Sequence, residues 1–375
     1  MIPFRDHFFV YQCIGCVLRI GEMFCSKRRI GMKKRIEEAD YMKGVAILAV
    51  ILIHVTAFSM RSFHQLTDGG VFFAINQLGR FCVPVFFMIS GLFLFYRYYD
   101  NEPFPVKSFF KKRTMYILIP YLIWSVIYLI YGKMVHPETV PGPGIKSIEA
   151  IFTGGAYYHL YFLVVMVQFY VLLPVLIWAF RKFGGITVVA FSLLVNVIAG
   201  SMTWWEVVDK LPWLASYNQN AMYYFPVWLF YFCLGGWIGQ HADQVYQYVK
   251  KIPFSATVLF YLASAVAMMI EGFVRKHTGF FNYSVFAYSI CTLMLLYQMF
   301  CKWKFSWMYT LGKYSFGLYL IHPMLLNLWS QVSSKLFPAA SWTEFFIMLF
   351  VVTLFSLGLA KLMKRLPYHY LITGK

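Results

Sequence analysis

From residue 41 onward the chain is a series of long apolar runs, broken by short clusters of Lys, Arg, Pro and Gly. A helix needs about 20 mostly apolar residues to cross a hydrocarbon core. Ten stretches qualify, at about 41–60, 78–98, 113–134, 158–179, 184–204, 222–242, 254–272, 282–301, 307–331 and 343–363. The pattern predicts an all-α polytopic membrane protein with about ten transmembrane helices. There is no internal repeat or low-complexity segment. The division expected is a basic N-terminal segment (1–36), one membrane domain (37–365) and a short tail (366–375). The longest connection, about 135–157, carries VPGPG at 140–144 and reads as an exposed loop.

Composition supports the same solvent. Of 375 residues, 60% are apolar, 21% aromatic and 13% charged. The charge content is about half that of a soluble chain. The net charge of +18 would suit nucleic acid, but Lys and Arg lie between the spans and form no soluble basic face. No nucleic-acid partner is expected; membrane lipid is. Of the seven cysteines, Cys13-x-x-Cys16 lacks the second ligand pair of a zinc site. All seven read as incidental, and no metal is expected. The first 31 residues hold a short apolar run, Phe8 to Ile20, then Lys27-Arg28-Arg29. Translation starting at Met23 or Met32 is one expectation, and a peripheral anchor the other.

Charge also orients the chain. With the amino terminus inside, segments assigned to the inside hold 23 Lys and Arg from residue 27 onward and those outside hold 8. That asymmetry follows the positive-inside rule and places both ends in the cytoplasm.

All fifteen carboxylates fall in loops or at helix ends. Ion-coupled carriers keep an acid at membrane depth, so that class is disfavoured. Two histidines do lie within spans, His54 in the first and His322 in the ninth. Both fall at similar depth in the outer half. An intramembrane imidazole is costly to charge and is a candidate for chemistry; a neutral ring bonded to a neighbouring helix is the plain alternative. Lys43 precedes His54 by eleven residues. That spacing puts both on one helix face, about 16 Å apart along the axis. Lys43 would stand at the cytoplasmic mouth of a groove and His54 deep within it. Arg97, Lys107, Lys111, Lys112 and Arg113 add a basic cluster on that side, suited to anionic lipid or a phosphorylated cofactor.

These residues resemble the acyltransferase-3 family of bacterial membrane acyltransferases. DYMKGVAILAVILIH (40–54) resembles the family's opening helix, with a basic residue eleven before a His. FFMISGLFL (86–94), KKRTMYILIPY (111–121), YHLYFLVVMVQFYVLLP (158–174) and LGKYSFGLYLIHP (311–323) resemble its later helices in order. Lys43 stands where Arg is usual, and Gln168 where some members carry a carboxylate.

The resemblance implies transfer of an acyl group, acetyl or succinyl, from cytoplasmic acyl-CoA to a hydroxyl of a cell-surface polysaccharide in the bacterial cell membrane. Acetyl-CoA is the first donor expected. Lys43, Lys112 and Arg113 would hold its phosphates. His54 would act as general base or carry the acyl group transiently. His322 would polarise the thioester carbonyl or orient the acceptor. His159 and Gln168 are acceptor-side candidates, Gln168 also as a group fixing the imidazole tautomer. Ser90-Gly91 reads as a packing pair. Trp204, Trp205, Tyr217, Tyr223 and Tyr224 suit either sugar stacking or an interfacial belt. A polysaccharide synthase complex is a possible partner. Rival readings are a polysaccharide exporter or flippase and a glycan polymerase.

Overall fold

The computed structural model describes residues 36–62, 66–135, 137–142, 144–204, 217, 220–275, 279–337 and 341–374. Residues 1–35 lie outside the description, and with them Cys13, Cys16, Cys25 and both candidate start sites. The side chains of Trp204 and Trp205 also lie outside the description.

The described chain is helical throughout. In order the helices are α1 (Glu38–Ser62), α2 (Leu66–Gly79), α3 (Cys82–Tyr98), α4 (Val106–Arg113), α5 (Ile119–Val135), α6 (Ile145–Thr153), α7 (Tyr161–Phe183) and α8 (Gly185–Ser201). There follow α9 (Leu229–Gln240), α10 (Ala242–Lys251), α11 (Phe254–Arg275), α12 (Ser284–Lys302), α13 (Ser306–Lys313), α14 (Ser315–Leu336), α15 (Trp342–Met363) and α16 (Tyr370–Thr373).

Each of the ten apolar stretches is helical, but among the described residues seven helices are long and apolar enough to cross a bilayer. The other three stretches depart for local reasons. The stretch 184–204 gives a helix of 17 residues, Gly185–Ser201. The stretch 222–242 opens as two short 3-10 turns, with Pro226 in the second, before α9 begins. The stretch 307–331 breaks at Tyr314 into α13 and α14, and α14 carries His322, Pro323 and Asn327 among its apolar residues.

Proline shapes the longest helical run too. Pro120 has no N–H to give and its ring crowds the carbonyl four residues back. The helix widens there into a π-turn over Thr114–Leu118, joining α4 to α5. Carboxylates keep to terminal turns. Glu344 lies in the first turn of α15, where Ser341 Oγ accepts from its backbone N–H at 3.1 Å. The Ser333 hydroxyl donates to Glu344 Oε1 at 2.8 Å, tying the end of α14 to the start of α15.

The helices sort into inner and outer members. In the span Gly70–Tyr98, 72% of the apolar window is buried; in Phe254–Arg275 and in Trp342–Met363 it is 28%. The two outer helices turn Leu259, Phe260, Val266, Phe346, Phe350 and Phe355 outward. Water would penalise such a surface, and lipid tails would not. The protein is therefore a multi-pass membrane protein. At its centre α1 packs against α2, α3, α12, α13, α14 and α15.

Glycine permits the closest helix crossing. A Cβ on Gly91 of α3 would collide with the Phe232 carbonyl, one on Gly235 with the Met88 carbonyl and one on Gly239 with the Leu92 carbonyl. Gly235 and Gly239 form a small-xxx-small seam that lets α9 lie backbone to backbone on α3. Gly91 is thus a packing residue, as its place beside Ser90 suggested.

The tail folds back on the bundle instead of hanging free. Trp124 Nε1 of α5 donates to the Ile372 carbonyl at 2.9 Å, and Thr373 is buried.

Replacing Gly235 with Leu forces the α3 and α9 backbones apart, at a cost of at least the ~1–3 kcal/mol typical of overpacking. Gly235→Leu should melt well below wild type in detergent, read by size-exclusion after heating. Gly358→Ala, whose Cβ meets nothing within 4 Å, should melt with wild type.

Candidate active site

Two glycines set the height of the two intramembrane histidines. A Cβ on Gly44 of α1 would collide with the Met308 carbonyl of α13, and one on Gly312 of α13 with the Asp40 carbonyl of α1. His54 lies ten residues beyond Gly44, and His322 ten beyond Gly312. Ten residues is about 15 Å of helix. The path from Gly44 to His54 is unbroken helix, that from Gly312 to His322 turns at Tyr314, and the two together bring the rings into contact. The His54 and His322 ring centroids are 5.4 Å apart.

His159 joins them from the turn between α6 and α7. Gly154 ends α6 with φ of 86°, a left-handed conformation that glycine adopts without strain. The chain then folds through Tyr157 and Tyr158 and delivers the His159 ring to within 5.8 Å of His322. The Tyr319 hydroxyl donates to the His159 carbonyl and fixes the turn on α14. Tyrosines complete the enclosure: Tyr158 lies 4.9 Å from His54, Tyr128 5.1 Å and Tyr319 5.0 Å from His159. The Tyr128 hydroxyl donates to the Leu320 carbonyl at 2.7 Å, binding α5 to α14.

Hydrogen bonding sets the chemistry of His322. Its Nδ1 lies 2.9 Å from the Leu318 carbonyl. A carbonyl only accepts, so Nδ1 carries the proton and Nε2 of the neutral ring offers a lone pair. That Nε2 is buried with no hydrogen-bond partner among the described residues, and so are both ring nitrogens of His159. Pro323 lacks the N–H that would bond the Tyr319 carbonyl, opening one more acceptor in the same turn. His54 is half-buried. Buried polar atoms are nearly always paired, so open nitrogens gathered in one place mark a site for a polar ligand. Among the described residues no set of His, Cys, Asp and Glu is placed to hold a metal.

The remaining candidates scatter. The Lys43 ammonium pairs with Asp40 at 2.8 Å and lies 4.9 Å from the Phe93 ring centroid, so it is already satisfied. Arg113 is different. Its guanidinium lies 5.2 Å from the Phe109 centroid and 5.1 Å from that of Tyr170, and its Nε is buried without a hydrogen-bond partner. Lys112 beside it is exposed. Gln168 is committed elsewhere: its Nε2 donates to the Tyr223 carbonyl and its Oε1 accepts from the Phe225 N–H, both at 2.8 Å. It braces the segment before α9, and the backbone carbonyl of Leu318 fixes the tautomer of His322. Tyr217 and Tyr224 stack on each other at 5.5 Å.

Sequence reasoning passed over Asn76 and Arg80. Asn76 Nδ2 donates to the Ile53 carbonyl at 2.9 Å and to Thr56 Oγ1 at 2.8 Å, clamping the turn that carries His54. Asn76 Oδ1 accepts from Arg80 Nε and Nη2, at 3.1 and 2.7 Å. The i,i+4 spacing of Asn76 and Arg80 on the edge of an apolar span was the one available signal.

The pairing of His54 with His322 has a direct check. In a protein carrying His54→Cys and His322→Cys, a short bifunctional thiol reagent should join residues 54 and 322, seen as a linked peptide by mass spectrometry. Adding Gly312→Leu should reduce that product several-fold.

The chain matches the family model described as "Acyltransferase domain" over residues 36–361. It is 23% identical over 311 residues to a protein of Staphylococcus aureus (strain N315), named "Probable poly-beta-1,6-N-acetyl-D-glucosamine export protein"; the match covers 79% of this chain and 84% of the relative. A Staphylococcus epidermidis protein of the same name is 22% identical over 310 residues, covering 79% and 82%. No solved structure matches it significantly. With its sequence matched from the head of α1 almost to the end of α15, the chain belongs to the acyltransferase-3 family and is an acyltransferase acting on groups other than aminoacyl.

Proposed function

We propose that the protein is an O-acyltransferase of the bacterial cytoplasmic membrane. It transfers an acetyl or succinyl group from cytoplasmic acyl-CoA, acetyl-CoA first, to a hydroxyl of a cell-surface polysaccharide. The observation that carries this reading is the contact of three imidazoles inside an apolar bundle, one with its basic nitrogen held open. A neutral imidazole suits removal of a hydroxyl proton near neutral pH, and His54, in ring contact with His322, is assigned that task.

In this reading both chain ends are cytoplasmic and the donor enters from the Lys43 end of α1. Arg113 and Lys112 take its phosphates, Arg113 through the N–H that lacks a partner. Lys43 joins only by leaving Asp40. The thioester then reaches upward along α1. His54 removes the proton from the acceptor hydroxyl, whose oxygen bonds to the acyl carbon. The carbon–sulfur bond breaks, and the proton passes from His54 to the departing thiolate. His322, with Nδ1–H given to Leu318, accepts a hydrogen bond through Nε2 and orients the acceptor. His159 lines the acceptor side.

The names of the staphylococcal relatives favour a second reading, export of a β-1,6-linked N-acetylglucosamine polymer. They also point to that class of polymer as the acceptor, with a polysaccharide synthase as the neighbour in the membrane. Purified protein in vesicles, given labelled acetyl-CoA and glycan, separates the two. Covalent label on the glycan supports transfer; glycan movement without label supports export.

His54→Ala should lower glycan ester by about 10²–10⁴-fold, the scale of a lost general base. Mass spectrometry of the polymer from cells expressing equal amounts of inserted protein measures it. Arg113→Gln should raise KM for acetyl-CoA about tenfold with little change in kcat, the pattern of lost ground-state binding.

A further inference from the structure

Attack on a thioester puts negative charge on the carbonyl oxygen, and neither His54 nor His322 is placed to receive it in the reading above. His54 is occupied with the acceptor's proton. The Nε2 of neutral His322 accepts and does not donate. A donor or cation near His54 is therefore missing from the site as described so far.

Arg80 supplies one. It follows α2 and precedes α3, and it is half-buried. Its guanidinium lies 4.7 Å from the Phe280 ring centroid. Nε and Nη2 both donate to Asn76 Oδ1. Asn76 in turn donates to the carbonyl of Ile53, the residue before His54. The guanidinium is thus two hydrogen bonds from the backbone of the turn that carries His54. Among the described residues Arg80 has no carboxylate partner; a neutral amide and an aromatic face are its company. A cation withdrawn from water without a counter-ion is costly, so its retention calls for an anionic group that arrives in use.

We propose that Arg80 is a catalytic residue that stabilises the oxyanion formed on the thioester carbonyl. This rests on the acyl-transfer reading above. As the acceptor oxygen bonds to the acyl carbon, the carbonyl π pair moves onto oxygen and is met by the N–H groups of Arg80 not held by Asn76. The pair returns as the carbon–sulfur bond breaks, and the thiolate takes the proton held by His54. Asn76 is the positioning residue: it fixes the guanidinium and the His54 turn with one side chain.

The test uses full-length protein in vesicles with radiolabelled acetyl-CoA and soluble β-1,6-linked N-acetylglucosamine oligomers. Rates are scaled to the folded fraction from size-exclusion. Arg80→Gln should lower kcat by about 10²–10³-fold, the scale of a lost oxyanion donor, with KM for acetyl-CoA within a few-fold of wild type. Arg80→Lys, which keeps the charge without the fork, should fall in between. Methylguanidinium should restore part of the rate to Arg80→Gly and none to His54→Ala. If Arg80→Gln does not fold, the kcat and KM of Arg80→Lys decide. A kcat near wild type in the folded variants, or a loss confined to KM, overturns the proposal and leaves the acyl-transfer reading standing. Absence of transfer by wild type, with glycan movement intact, overturns both.

Discussion

Two helix backbones can touch only where neither carries a side chain, and α1 meets α13 at such a place. The contact of Gly44 with Gly312 does more than save space. It fixes the register of two parallel helical runs, and with it the level at which His54 and His322 face one another. A looser interface would let α14 slide or tilt, and a shift of one turn, about 5.4 Å, is as large as the separation of the two rings. The same device recurs where α9 lies on α3, with aromatic rings such as Phe95 and Phe232 packed around the backbone contact.

Around that frame several polar groups are met by near neighbours. Glu344 is met by a serine hydroxyl and capped by its own helix terminus. Asp40 is met by Lys43, Glu271 by Arg275 and the backbone of Tyr283. Gln168 is satisfied at both ends by backbone. In a low-dielectric setting an unmatched polar atom is expensive. Other buried polar atoms, those of Gln77 and Asn282 among them, also lack a partner, but the open nitrogens of His159 and His322 differ in belonging to one cluster of three imidazoles. The His159 and His322 rings lie 5.8 Å apart, as partners of one ligand would.

Much of this was readable in the chain. An imidazole in a run such as AILAVILIH has no solvent to satisfy it, so His54 and His322 stood out by the apolarity of their neighbours. The helices themselves followed from the length of the apolar runs. What sequence could not give was contact. The ten-residue offset from glycine to histidine is visible twice in the letters, yet its meaning depends on Gly44 and Gly312 touching. His159 sits just before a helix start, and that the turn from Gly154 draws it inward against His322 is visible only in the fold. Gln168 looked available because nothing in the sequence shows the backbone of residues 223–225 folding onto it. Arg80 looked like an outer-side charge because position along the chain does not reveal that Asn76 holds it beside α1. The seventh and eighth apolar stretches matched full-length helices, while the ninth divided at Tyr314, where a change of direction depends on packing and not on composition.

The bond from Trp124 to the Ile372 carbonyl joins positions 248 residues apart. During synthesis the groove on α5 that receives residues 370–374 must wait, lined by aromatic rings, while most of the other helices enter the bilayer. A substitution in residues 370–374, far from the histidines, therefore reaches α5 through this bond.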